Sequence, residues 1–298
     1  MKMLVIGGPS GQVARELAYL DHPDCRIDAR GRPNVDLAKS STLASALTDA
    51  SPDVVILSGA YTAVDKAEAD LATARAVNAR GPGAIGSLCA EAGVPVVHLS
   101  TEYVFGGGKS KRYVETDATC PLSVYGATKR EGEKALAASG VRHVILRVSW
   151  VHAPKGKNFV RTMLRLAKSR ERINVVADQV GRPTYAPHLA IAIQKIATRL
   201  ACDQSAPTGI FHLTGSGEPC SRHDYGQAIF AASKARGGPY AAIDPIPTSA
   251  YPALARRPAN SVMDCSLIAD AYGLKLPDWR QGVEECVAAI SESSWNVD

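Results

Sequence analysis

A chain of 298 residues is long enough for one large α/β domain or two closely packed ones, and 21% charged with 46% hydrophobic residues is a globular balance, not a disordered one. The formal net charge of +5 suits an anionic small molecule, but no dense basic run or basic–aromatic stripe points to nucleic acid. The seven cysteines are scattered without a CxxC pair, and Cys220 with His223 is a lone pair, so neither a disulfide framework nor a metal is expected.

The first element is "KMLVIGG" (2–8), a buried strand that stops at glycines. It is too short for a signal peptide or a membrane span, so a cytoplasmic protein with no membrane contact is expected. A helix through 12–20, a strand at 25–30, a helix at 40–50 and a strand at 53–60 follow. One long Ala- and Glu-rich helix is expected over 66–92, then a strand at 94–101, a helix from about 121 to 139 stopped by Gly140, and a strand at 143–150. Short apolar β-branched runs between helices mean strands buried on both faces, hence a parallel sheet. The repeated β-α units predict a doubly wound, Rossmann-type α/β fold.

Beyond residue 150 the rhythm loosens. Strand-like runs remain at 173–178 and 209–215, with helices near 158–169, 187–201 and 221–235. We expect a dinucleotide-binding domain over 1–155. Residues 156–298 should be mainly a smaller, interleaved α/β substrate lobe, with some segments returning to the first domain.

The segment "VIGGPSGQVA" joins the first strand to the first helix, with Gly8, Gly11 and Ala14 spaced G-x-x-G-x-x-A. Glycines at such a turn let backbone N–H groups approach a pyrophosphate, and the helix start favours negative charge. Tight strand-to-helix turns are glycine-rich in any case, so the weight comes from the position after the first strand of a βαβ run. The end of the second strand reads "RIDARGRPNVD". Arg30 and Arg32 flank it, and an arginine there pairs with a 2′-phosphate, which favours NADPH with NADH as the alternative. Arginines that merely solvate a loop would read the same.

In "SVYGATKRE" (123–131), Tyr125 and Lys129 are four residues apart on a helix and so share one face. A free tyrosine titrates near pH ~10; an ammonium that lowered this by about three units would contribute roughly 4 kcal/mol. That would make Tyr125 a usable general acid for a carbonyl under reduction. The pair lies directly after the strand ending in "STEYVF" (100–105), so Ser100 and Thr101 fall at the carboxyl end of a central strand. Hydroxyl, tyrosine and lysine at one strand end make a reductase constellation.

With these residues the chain resembles the extended short-chain dehydrogenase/reductases, and within them the dTDP-4-dehydrorhamnose reductases. The likeness runs through "AYTAVDKAE" (60–68), "ETDATCPLSVYGATKREGEKAL" (115–136), "RVSWV" (147–151), "DQVGRPT" (178–184), "PTSAYP" (247–252) and "RPANS" (257–261). It implies reduction of the C4 keto group of a nucleotide-linked 4-keto-6-deoxy sugar, with Tyr125 as proton donor, Thr101 on the same oxygen and Lys129 tuning Tyr125. It places Gly11, Gln12 and Val13 at the cofactor phosphates, Asp36 and Leu37 beside the adenine, and Ala60, Tyr61 and Thr62 along the ribose–nicotinamide side. Glu102 and Trp150 fall at sugar-contacting positions. Arg257 is added as a diphosphate ligand on charge and position alone.

The chain also departs from the family pattern. Glu102 stands where aspartate is usual, one methylene longer beside the sugar. Family dimers bridged by magnesium use three glutamates; Glu16 matches one, but Pro187 occupies the second position. A homodimer is compatible with the sequence, but not a magnesium-bridged one. Two rival readings stand beside the reductase. One is a nucleotide-sugar epimerase or dehydratase on the same fold. The other is a non-catalytic NADP-binding regulatory subunit that keeps its old site residues.

Overall fold

The structure is a computed structural model that describes residues 1–297. Strands β1 (Lys2–Ile6), β2 (Arg26–Arg30), β3 (Val54–Leu57), β4 (Val96–Thr101), β5 (His143–Val148) and β6 (Gly209–His212) form one parallel sheet in the order β6-β5-β4-β3-β1-β2. β3 and β4 are buried at every residue, whereas the edge strand β2 is only partly covered. That is why the central strands read as continuous apolar runs and β2 does not. Alternate residues of β1 serve opposite faces: Met3 and Val5 join one core, Leu4 and Ile6 the other.

Helices cover both faces. α1 (Gln12–Ala18) and α6 (Ala186–Cys202) pack on the Met3 side through Leu17, Leu189 and Ile193. On the Leu4 side lie α2 (Ser40–Ala50), α3 (Gly81–Ala92) and α4 (Val124–Ala138), through Leu43, Ile85 and Leu136. Thus α6 and β6, from the C-terminal half, return to the first sheet. Between β1 and β3 the chain reverses its direction of winding across the sheet, which opens a crevice at the carboxyl ends of the strands.

A second core fills the C-terminal lobe, where α5 (Phe159–Ala167), α7 (Arg222–Lys234) and α8 (Trp279–Glu292) enclose Met163, Tyr225, Phe230, Trp279 and Val287. Its strand pairs are short: Arg172–Val176 with Ala242–Ile246, Val151–His152 with Thr184–Tyr185, and Val180–Gly181 with Cys220–Ser221. Among the described residues, no helix is long and apolar enough to cross a membrane.

One expectation fails outright. The helix expected over 66–92 is broken into Val64–Ala67, Leu71–Arg75, a π-helical turn at Ala76–Arg80 and then α3. A π turn holds one surplus residue per turn, which alanine-rich composition does not reveal. The expected strands at 53–60, 143–150 and 209–215 are also shorter, ending at Leu57, Val148 and His212; beyond the first two, Ser58, Gly59, Ala60 and Trp150 turn to the crevice.

Candidate active site

Two adjoining cavities open along the crevice. The larger, about 710 Å³, is lined at one end by Ser10, Gly11, Gln12 and Val13 and reaches Thr101, Glu102, Tyr125, Lys129 and Trp150. The smaller, about 440 Å³, is lined by Arg32, Asp36, Leu37 and Tyr61 and shares Gly7, Gly59, Ala60 and Thr62 with the first. The residues expected from the sequence, apart from Gly8, Arg30 and Arg257, therefore lie on the wall of one continuous cleft.

The glycine loop is shaped by close backbone packing. The Gly7 and Gly8 N–H groups both donate to the Arg30 carbonyl, each at 3.0 Å, and Gly8 has φ +75°. A Cβ at Gly31 would come within 2.2 Å of the Gly8 Cα, so Gly31, which sequence reading passed over, is as necessary to the loop as Gly8. The loop lies at the sheet's reversal point, and its backbone N–H groups suit a nucleotide diphosphate. Arg15, also on the cavity wall, holds a buried Nη1 atom without a partner, an orphaned donor suited to an anion. Of the two arginines after β2, Arg30 is taken by Asp28 (2.7 Å) at the sheet edge, which leaves Arg32 facing the smaller cavity. These residues fit NADPH.

Tyr61 is fixed through its backbone. Its N–H donates to Asn78 Oδ1 at 2.8 Å, and Asn78 Nδ2 donates back to the Tyr61 carbonyl and to Thr128 Oγ1 on α4. Asn78 lies in the π turn, and it was missed in the sequence because a buried asparagine within an Ala-rich helix carries no spacing signal.

Helix α4 starts where the Ser123 hydroxyl accepts from the Gly126 N–H. It lies directly on the backbone beneath: a Cβ at Gly126 would sit 2.2 Å from the Tyr103 carbonyl oxygen, and one at Gly132 2.0 Å from that of Asn78. Four-residue steps then align Tyr125, Lys129 and Glu133. Glu133 is wholly buried. Its carboxylate accepts a two-pronged pair of bonds from Arg147 (2.9 and 2.8 Å) and a 2.5 Å bond from Ser100 Oγ. This brace ties the catalytic helix to β4 and β5. Losing one partner would strand a buried charge, a loss of about 3–5 kcal/mol. Glu133 was legible as the next residue on the Tyr125–Lys129 face, but was not singled out.

Lys129 is 1% exposed. Its Nζ donates to the Leu99 carbonyl at 2.6 Å and lies 3.4 Å from His98 Nε2. Burial lowers its pKa to about 8, against the opposing pull of Glu133. Burial and the facing ammonium hold His98 well below its usual range, so a neutral ring offers Nε2 as an acceptor.

Thr101 Oγ1 donates to Glu102 Oε2 at 2.7 Å and accepts from the Tyr103 N–H. The Thr101 hydroxyl also lies beside Tyr125, whose ring meets that of Tyr103 edge-on at 5.6 Å. Burial raises Glu102 to about 7, partly offset by Thr101 and by the Arg222 charge. Burial, then the Glu102 charge, also pushes Tyr125 upward. The expected lowering of Tyr125 by Lys129 is not what this arrangement displays. The ammonium is turned to Leu99 and His98, and desolvation dominates.

Trp150 has φ +46°, unusual for a bulky side chain. Gly181 makes room for it, since a Cβ there would lie 2.7 Å from the indole. Above the indole, 3.6 Å from its centroid, lies the Arg222 guanidinium, which also lines the larger cavity. Arg222 gave no sequence signal, being a lone arginine at a helix start. Arg257, by contrast, does not line this cavity. It stands behind Tyr103, with Nη2 bonded to Asp65 Oδ2 at 2.6 Å.

Residues 1–292 match the family model described as the RmlD substrate binding domain. A dTDP-4-dehydrorhamnose reductase from Sinorhizobium fredii is 45% identical over 288 residues, covering 96% of this chain and 97% of the relative. The enzyme of that name from Escherichia coli K12 is 42% identical, covering 94% and 95%. Among solved structures, dTDP-4-dehydrorhamnose reductase from Bacillus anthracis in complex with NADP superposes with a TM-score of 0.89 at 30% identity, covering 97% of this chain and 99% of that one.

Proposed function

The chain belongs to the dTDP-4-dehydrorhamnose reductase family, and on that premise we propose how its own residues carry out the family's reaction. That reaction is the NADPH-dependent reduction of the C4 keto group of dTDP-4-dehydro-L-rhamnose in dTDP-rhamnose biosynthesis. When bound, NADPH supplies the hydride.

Tyr125 donates the proton to the nascent C4 alkoxide. A phenol is protonated at neutral pH in any case and burial keeps Tyr125 that way, so the donor is loaded before reduction. Thr101 lies beside Tyr125 and donates to Glu102, so its hydroxyl can turn to the same oxygen once the sugar displaces Glu102. Lys129, whose ammonium is held by Leu99 and His98 on the same helix face as Tyr125, is placed to hold the cofactor ribose. Glu102 and Trp150 bound the sugar. The observation that supports this assignment is the meeting of Thr101, Tyr125 and Lys129 on the wall of the cleft that begins at the glycine loop. The seven unpaired cysteines favour a reducing, cytoplasmic setting.

The test follows NADPH absorbance with dTDP-4-dehydro-L-rhamnose generated in place, with NADH in parallel. Sugar-dependent oxidation, faster with NADPH, is expected. Tight NADPH binding with no oxidation would remove the catalytic assignment and favour a binding subunit.

A further inference from the structure

We propose that Arg222 binds the diphosphate of the nucleotide-sugar substrate, the part expected from the sequence of Arg257. This deepens the reductase reading and rests on it.

Arg222 opens α7, and its position is fixed from several directions. Its N–H donates to the Gln179 carbonyl at 3.2 Å. The preceding Cys220–Ser221 strand pairs with Val180–Gly181, and Ser221 and Asp224 close a reciprocal cap around the helix start. The guanidinium carbon lies over the Trp150 ring, 3.6 Å from its centroid, and 5.5 Å from that of Phe159. Ring faces hold a cation without neutralising it. Among the described residues it forms no ion pair within bonding distance, whereas Arg257 is already paired with Asp65 at 2.6 Å. Glu102 is the nearby carboxyl, but Thr101 occupies one of its oxygens and burial leaves it half-neutral near pH 7. The cleft thus keeps an uncompensated, pre-oriented planar cation on its wall. A planar guanidinium held in place matches the two-pronged geometry of phosphate oxygens.

The cofactor has its own cations elsewhere. Trp150 follows β5, which lies three strand positions from β1 across the sheet, a distance of about 14 Å at ordinary strand spacing. Arg15 and Lys157 line the glycine-loop end, and Gly156 packs against Gln12 there. Arg222 therefore serves the second diphosphate that a dinucleotide-dependent enzyme of sugar nucleotides must hold.

The experiment titrates dTDP and, separately, NADPH into the wild type, Arg222→Gln and Arg222→Lys, and measures KM for the keto sugar. In Arg222→Gln, dTDP affinity should fall roughly ten- to hundredfold, the range for a charge-assisted bond. KM should rise by a like factor. Arg222→Lys should fall between, and NADPH affinity should hold in both, which also certifies folding. Unchanged dTDP affinity would overturn the proposal, as would a loss confined to NADPH, which would hand Arg222 to the cofactor. Arg222-dependent dTDP binding in a protein that oxidises no NADPH would uphold the diphosphate site while removing the reductase reading.

Discussion

The two ends of the cleft are built in different ways. The glycine-loop end is mostly backbone, supplied by residues 7–13 and closed by Gly31. The substrate end is assembled from side chains at 101–103, 125–129, 150 and 222, brought together by the fold. A backbone cradle needs only a conformation, so it is compact in sequence and recurs across folds that bind nucleotides. A side-chain pocket needs particular charges and rings, and pays for them in buried polarity: Glu102, Lys129 and Glu133 are each at most 3% exposed.

The difference can be tested from its strongest point downward. Tyr125→Phe should reduce kcat by about 10²–10⁴-fold, the usual worth of general acid catalysis, with NADPH affinity retained. A kcat within a factor of two of wild type would take Tyr125 out of the proton transfer.

Next comes the cost of the buried acid. The folded pKa of Glu102 is raised from 4.5 to about 7, so the folded state holds a proton that the unfolded chain gives up. Stability contributed by the protonated form is full below pH ~4.5 and is lost as pH rises toward ~7, a swing of roughly 3 kcal/mol at most. Denaturant unfolding of Glu102→Gln should therefore show a larger advantage over wild type at pH 8 than at pH 5. Equal differences at both pH values would mean that Glu102 ionises freely.

Gly31→Ala probes the other end. The new methyl meets Gly8 backbone at 2.2 and 2.5 Å, so the loop must move. NADPH affinity should fall about tenfold or more while dTDP binding persists; parallel loss of both would show that the two ends are not separable. The smallest effect is expected at Arg257→Ala. Its partner Asp65 is 44% exposed, so the lost pair should contribute only about 1 kcal/mol to stability and shift KM a few-fold. An effect on dTDP affinity as large as that at Arg222 would return Arg257 to the substrate.

What the sequence disclosed follows the same division. The parallel sheet was readable because β3 and β4 are buried on both faces, so β3 is apolar throughout and β4 mostly so in its first half. The glycine loop was readable by spacing, and Tyr125 with Lys129 by helical periodicity. The C-terminal lobe was less so. Its two-residue pairings, such as Val151–His152 with Thr184–Tyr185, are too short to show a period, and the strand at Ala242–Ile246 and the helices at Ser266–Tyr272 and Trp279–Glu292 went unread. Arg222 was illegible for a different reason: its significance lies in having rings beside it and, among the described residues, no ion pair, and the lack of a pair leaves no mark in a sequence. His98 was hidden by its setting, a polar residue inside an apolar strand that becomes meaningful only once Lys129 reaches it.

The π turn at Ala76–Arg80 carries a consequence for anyone redesigning this chain. Its surplus residue sets the phase of the segment relative to α4, and Asn78 meets Tyr61 and Thr128 only in that phase. Deleting one residue would regularise the helix and raise its intrinsic propensity, yet swing Asn78 about 100° around the axis. A variant idealised in this way would gain a better helix and lose its grip on the Tyr61 loop. The irregularity works as a key cut into an otherwise uniform rod.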